Sequence, residues 1–232
     1  EGRYRDSVCG SLRLCPSQRW HPLHLIQPAI AAGLASLCEW GVALPALELE
    51  RVVSGKVPAE TLRRELGPVL RKGLRQLAKD YVVFPLLAGP AFLPVLAGNL
   101  VANLARNLWT FGIIFCGHFT ADVETFPATA LDDESRGAWY VRQLRGSSNL
   151  TGGPTFHFLS GNLSHQIEHH LFPDVPAVRY ADMAERVRDI AARYGQYYNT
   201  GSFWSQFTSV VWRILRYALP VSSPDAAVAA WA

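Results

Sequence analysis

Residues 81–105 read YVVFPLLAGPAFLPVLAGNLVANLA, 25 residues from Tyr81 to Ala105 without a formal charge. After Arg106, 15 more follow from Asn107 to Ala121, and upstream the stretch Trp20 to Leu47 carries only Glu39. A helix needs roughly 20 mostly apolar residues to cross a bilayer. Three such stretches in 232 residues would need far more soluble protein around them than the chain has. The pattern therefore predicts an all-α integral membrane protein with apolar segments near 23–47, 82–105 and 107–119. Pro85, Pro90, Pro94, Gly89 and Gly98 interrupt the central stretch. They predict either a kinked helix or a re-entrant segment followed by a span starting near Val95.

The composition, 49% hydrophobic and 18% charged, excludes a disordered chain and is enough for one sizeable domain. A net charge of +3, without the clustered basic runs that track phosphates, argues against nucleic acid as a partner. Cys9, Cys15, Cys38 and Cys116 are scattered with no CxxC pair, which fits a reducing compartment. The chain opens on Glu1 and its one methionine is Met183, so it reads as a piece of a longer polypeptide. Between the apolar regions, Leu62, Leu66, Val69, Leu70, Leu74, Leu77 and Tyr81 recur at helical spacing behind Pro58, opposite a basic face. This predicts an interfacial helix on anionic lipid, and the positive-inside rule puts it in the cytoplasm.

Five of the seven histidines lie between His118 and His170, the densest run being GNLSHQIEHHLFP from Gly161 to Pro173. A helix begun near Asn162 and stopped by Pro173 would set His165, His169, Asn162, Gln166 and His170 within about 140° of arc. Leu163, Ile167 and Leu171 fall on the adjoining side, and Glu168 points elsewhere. Neutral imidazole binds divalent metals near neutral pH, and zinc and iron both suit it. His165, Gln166, His169 and His170 are accordingly candidate metal ligands. His118, ending the run from Phe111, is a fifth, whereas His21, His24 and His157 read as surface or hydrogen-bonded residues. Asn99, Asn103 and Asn107 recur every four residues, as a stripe toward His118 or as hydrogen bonds between neighbouring helices. Beyond the histidines, Tyr180, Met183, Val187, Ile190 and Tyr194 predict an amphipathic helix that packs on the same region.

The run His165-Gln166-Ile167-Glu168-His169-His170-Leu171-Phe172-Pro173 resembles the third histidine box of the integral-membrane fatty acid desaturases, in the variant with Gln for the first His of HxxHH. Arg106-Asn107-Leu108-Trp109, Gly117-His118-Phe119, Trp139 to Gln143, Gly161-Asn162, Tyr198 to Phe203 and Glu39 to Leu44 are similar to the C-terminal half of bacterial acyl desaturases. The resemblance stops at the tail, residues 221–232.

The resemblance implies membrane helices beneath a cytoplasmic helical cap, residues 120–220, that carries a histidine-rich di-iron site. It implies two non-haem iron ions, O2 as co-substrate and electrons from a separate electron-transfer protein. The substrate would be a fatty acyl chain linked to CoA, a carrier protein or lipid, desaturated at the bilayer. Gln166, His169 and His170 match the third box, His118 matches an additional family histidine, and His165 adjoins the box. The family's two earlier boxes have no counterpart, since before Cys116 only His21 and His24 occur, split by Pro22. Residues 1–220 are thus expected to be the C-terminal portion of one desaturase domain, inactive alone, with a mobile tail at 221–232. The alternatives are a membrane fatty acid hydroxylase on the same scaffold, or an inactive protein that kept the fold.

Overall fold

The computed structural model describes residues 12–15, 18–41, 59–126 and 133–221. Helix α1 (Gln27–Ser36) follows a 3-10 turn at Pro22–Ile26, and a further short turn covers Cys38–Gly41. Helix α2 spans Ala59–Ala78 and α3 spans Phe92–His118. Then come α4 (Arg136–Arg145), β1 (Asn149–Thr151), α5 (Pro154–Leu159), α6 (Gln166–Leu171), α7 (Tyr180–Arg193), β2 (Thr200–Ser202) and α8 (Phe203–Ala218). The architecture is predominantly helical, with β1 and β2 paired in parallel, Asn149 opposite Thr200. The chain divides into two compact units, one built on Ala32–Trp109 and one on the residues flanking that range.

In the first unit the interrupted apolar stretch becomes a helical hairpin. After α2 the backbone widens into a π-turn at Lys79–Val83, continues through a short helix at Phe84–Leu87 and reverses at Gly89, whose φ of 55° is open to glycine without steric cost. Pro90 and Pro94 then sit in the first turns of the returning segment, where a missing N–H leaves no bond unmade. The return brings Asn99 Nδ2 within 2.6 Å of the Asp80 carbonyl, and Asn103 Nδ2 within 3.0 Å of the Tyr81 hydroxyl and 3.3 Å of Asp80 Oδ2. Asn107 receives the Glu39 N–H at 3.2 Å and donates to the Ser36 carbonyl at 2.9 Å. The asparagine stripe therefore ties neighbouring segments together, the structural alternative of the sequence reading. Glu39 also holds Arg106 and accepts from Gln76 at 3.0 Å.

Segments 82–105 and 107–119 are thus parts of one hairpin-and-helix. Gly89–His118 is the one helix among the described residues long and apolar enough to cross a membrane, about 45 Å at 1.5 Å per residue. The apolar stretch from Trp20 yields only the short elements up to Gly41, and the rest of it, like the tail beyond Val221, lies outside the described residues. Leu70, Leu74 and Leu77 of α2 are exposed, which leaves that helix's apolar stripe uncovered. Pro58 lies outside the described residues.

In the second unit α8 packs along the end of α3. A Cβ on Gly112 would meet the Phe203 ring at 3.1 Å, and the Arg213 guanidinium donates to the Phe119 and Thr120 carbonyls that follow α3. Arg13, almost wholly buried, caps the far end of α8 by donating to Leu219 O and Val221 O at 3.1 Å each. Its guanidinium supplies the last carbonyls with donors that the helix itself lacks. Leu144, Ile167, Leu171 and Ala191 form the core between α4, α6 and α7, with Tyr140, Phe172, Val187 and Tyr198 packed against it.

Two expectations are corrected here. The helix expected from Asn162 begins at Gln166, because Gly161 and Asn162 have φ of 62° and 60° and successive left-handed residues cannot join a right-handed helix. In α7 the buried face is Tyr180, Ala184 and Ala191, while Ile190 and Tyr194 stand exposed. Ala191 and Val187 pack on the core beside α6, and Tyr180 reaches His169 of that helix.

Candidate metal centre

Two of the histidines meet without any continuous helix between them. His118 ends α3, His170 lies in the last turn of α6, and their Nε2 atoms are 2.9 Å apart. His118 Nδ1 lies 2.7 Å from the Ile114 carbonyl, which only accepts, so Nδ1 carries the hydrogen. His170 Nδ1 is oriented in the same way by the amide oxygen of Gln143 at 3.1 Å. In the neutral rings both Nε2 lone pairs then face one another, an arrangement that repels unless a proton or a cation sits between them. A ring whose far nitrogen is fixed by a carbonyl is the usual state of a metal-ligating histidine. Gln166 joins them, its amide 3.4 Å from His118 Nε2.

Close packing of α6 on α3 depends on Gly117. A Cβ there would fall 2.8 Å from Gln166 Cγ, so only glycine admits the Gln166 side chain beside His118. His169 lies next to this group, its ring centroid 5.6 Å from that of His170 and its Nδ1 3.2 Å from the hydroxyl of buried Tyr180. Burial raises the pKa of Tyr180, so that the phenol stays protonated beside the imidazole.

His165 stands apart from the others. It precedes α6, and its ring stacks on His157 with centroids 4.5 Å apart; His157 Nδ1 is in turn 2.8 Å from Ser164 Oγ. His165 Nε2 is buried without a hydrogen-bond partner. An orphaned imidazole nitrogen is costly in a finished site and fits a ring awaiting a ligand. His21 and His24 only cap one another's turn, in keeping with their surface reading. Among the described residues no group of three or more His, Cys, Asp and Glu is placed to hold a metal ion. The paired Nε2 atoms, the adjacent amide and the orphaned His165 nitrogen fit part of an imidazole-rich centre, not a whole one.

Burial, then the neighbouring His157, pushes the His165 pKa down from 6.5 to about 4. The folded pKa lies below the unfolded one, so the stabilisation is complete above about pH 6.5 and is lost as pH falls toward 4. Denaturant unfolding of the metal-free chain should show an acid loss of about 3 kcal/mol from this group. His165→Gln should flatten that limb, and an unchanged limb in the variant would assign it elsewhere.

Sequence reasoning gave Glu168 no role, setting it only off the histidine face and its apolar flank. It is fully buried; Asn149 Nδ2 donates to one carboxylate oxygen at 2.7 Å and the Tyr198 hydroxyl to the other at 2.8 Å. Burial raises its pKa, and the bonds from Asn149 and Tyr198 and the charge of Arg188 oppose that rise. A lone Glu in a helical run gives no signal of such partners, since Asn149 and Tyr198 lie 19 and 30 residues away.

The fatty acid desaturase family model matches residues 2–202. The chain is 42% identical over 220 residues to the NADPH-dependent stearoyl-CoA 9-desaturase of Mycobacterium tuberculosis, covering 93% of this chain and 51% of that protein. It is 26% identical over 207 residues to an acyl-lipid (7-3)-desaturase of Rebecca salina, covering 87% and 46%. Over 140 residues it is 30% identical to an sn-1 linoleoyl-lipid 6-desaturase of Synechocystis, covering 58% and 37%. The chain spans about half the length of the curated relatives it matches most extensively. No solved structure is a significant match. The histidine pair at the end of an apolar helix, the box on α6 and the match over most of its length have one common source: the chain belongs to the fatty acid desaturase family.

Proposed function

We propose that the chain is the histidine-bearing C-terminal portion of an O2-dependent fatty acyl desaturase. The observation that carries the reading is the approach of His118 Nε2 to His170 Nε2 at 2.9 Å, with both Nδ1 atoms fixed by oxygen acceptors. His118, Gln166, His169 and His170 would hold non-haem iron, with His165 at the edge of the same centre. Two iron ions bound there would supply the reduction of O2 and the removal of two hydrogens from the acyl chain. In balance, a CH2–CH2 unit, O2, two electrons and two protons give CH=CH and two waters.

The chain's own residues do the rest. Ile114 O, Gln143 and Tyr180 orient the imidazoles, while Ile167, Leu171 and Leu144 behind α6 keep water from the helix. Of the seven histidines, His21 and His24 are spent on a turn, so the remaining ligands would come from polypeptide outside these 232 residues. The acyl substrate is best drawn as a CoA thioester, in line with the name of the 42% identical relative, and electrons would pass from NADPH through a separate protein.

A membrane setting is supported by Gly89–His118 and by α8, whose Trp204 and Trp212 are 72% and 60% exposed on the side opposite its buried residues. Exposed tryptophans beside arginines suit the headgroup boundary. Lys and Arg residues on α2 favour a cytoplasmic location for that helix under the positive-inside rule, which is the side proposed for the histidine cap.

The test is product analysis. Membranes containing the full-length protein, given stearoyl-CoA, NADPH and a reductase, should form a mono-unsaturated acyl product in an O2-dependent manner. A hydroxylated product would reassign the activity, and no product under iron-replete conditions would leave a retained fold without the reaction.

A further inference from the structure

Helix α6 is six residues long, under two turns, yet it must present Gln166 and His170 to His118 with an accuracy of a few tenths of an ångström. A helix this short has little rigidity of its own. Its apolar contacts through Ile167 and Leu171 fix its depth, but they are non-directional and leave rotation about its axis weakly determined. What grips it directionally is a closed polar cluster on the side away from His118. Glu168 and His170 are two residues apart, about 160° around the helix by the shorter way.

The cluster is fully satisfied. Asn149 Oδ1 accepts the Ile167 N–H at 2.8 Å, so that β1 holds the α6 backbone at its second residue. Asn149 Nδ2 donates to Glu168 Oε2 at 2.7 Å and to the Tyr198 hydroxyl at 2.6 Å, and that hydroxyl donates to Glu168 Oε1 at 2.8 Å. Asn149 N–H in turn donates to the Asn199 carbonyl at 2.9 Å, and Asn199 and Ser148 are both bonded to Gln206 of α8. Arg188 of α7 lies over the Tyr198 ring, 5.7 Å from its centroid. The carboxylate thereby ties the back of α6 to Asn149 of β1 and to Tyr198 just before β2, and those two partners are in turn buttressed by α7 and α8.

We infer that Glu168, held by Asn149 and Tyr198, is a positioning residue that sets the rotation of α6 and so the approach of His170 to His118. The inference rests on the metal-centre reading of α6 for its purpose, but its geometry does not require a bound ion. A carboxylate with two separate acceptor oxygens can engage both partners at once, which an aliphatic side chain cannot. Gln can keep both contacts if its oxygen accepts from Asn149 and its amide donates to the Tyr198 hydroxyl.

The test uses the full chain in detergent micelles, as wild type, Glu168→Gln, Glu168→Leu and Tyr198→Phe, each checked for helical content by circular dichroism. Two readouts are taken: the NMR ring-proton contact between His118 and His170 without metal, and Co2+ binding from its visible absorption. Glu168→Leu should lose the ring contact while folded and bind Co2+ about 10–100-fold more weakly. Tyr198→Phe should fall between it and wild type, and Glu168→Gln should retain most of both signals. A folded Glu168→Leu with the wild-type ring contact overturns the inference. If that variant does not fold, Tyr198→Phe with an undiminished contact overturns it and a weakened contact supports it. Loss of the ring contact in a folded variant of a chain that binds no Co2+ supports the positioning role while removing the metal-centre reading.

Discussion

Replacing His118 or His170 with alanine in the full-length protein is expected to reduce desaturation by more than about 100-fold, with iron content falling in parallel. Changing only the partners that orient metal ligands costs about 10–100-fold in affinity or activity, so removing a ligand costs more. The two side chains come from elements 52 positions apart and meet only through Nε2, so each loss leaves the other ring without its counterpart. His24→Ala is the control, because that ring only caps a surface turn and its loss should leave turnover unchanged. Gas chromatography of the acyl products and iron analysis of the purified protein decide the matter. Full activity in either His118→Ala or His170→Ala would remove the pair from the centre.

Gly117→Ala is expected to have the second largest effect. The added methyl would sit 2.8 Å from Gln166 Cγ and 3.2 Å from its Cβ and Cδ. Gln166 is buried and opens α6, so the near end of its side chain moves only if the helix moves with it. Overpacking of this kind costs about 1–3 kcal/mol, and here it would also push Gln166 and His170 away from His118. The melting temperature and the iron retained per chain should both fall. Gly98 provides the contrast within the same helix, since a Cβ there meets nothing within 4 Å. Gly98→Ala should be neutral or stabilising by up to about 1 kcal/mol, the ordinary gain of alanine over glycine inside a helix. Equal behaviour of the two variants would mean that the α3–α6 contact does not constrain the site.

The reading of these residues from sequence succeeded where a local rule applied. Apolar length announced a membrane-length helix within 82–119, though as two segments on either side of Arg106, and Gly89 with Pro90 announced the interruption, because a left-handed turn and a missing N–H are properties of the residues themselves. The motif around His169 and His170 identified the family for the same reason: its information is in adjacent residues. The helical face drawn from Asn162 to His170 failed because periodicity assumes a helix throughout, and the left-handed Gly161 and Asn162 break it. That break is what separates His165 from the other candidate histidines and stacks it on His157.

By itself, then, the sequence determined the helical class, the interruption of the apolar stretch and the family, all of which follow from composition and short-range pattern, and it named the candidate imidazoles. Which donors meet was decided by tertiary structure alone. His118 faces His170 because Gly117 lets α6 lie against α3, and α6 is held in that rotation by Asn149 and Tyr198 gripping Glu168. A buried carboxylate is stable only when donors reach it, and donors 19 and 30 residues away are brought there by the fold of the whole unit, which no local pattern in the chain encodes.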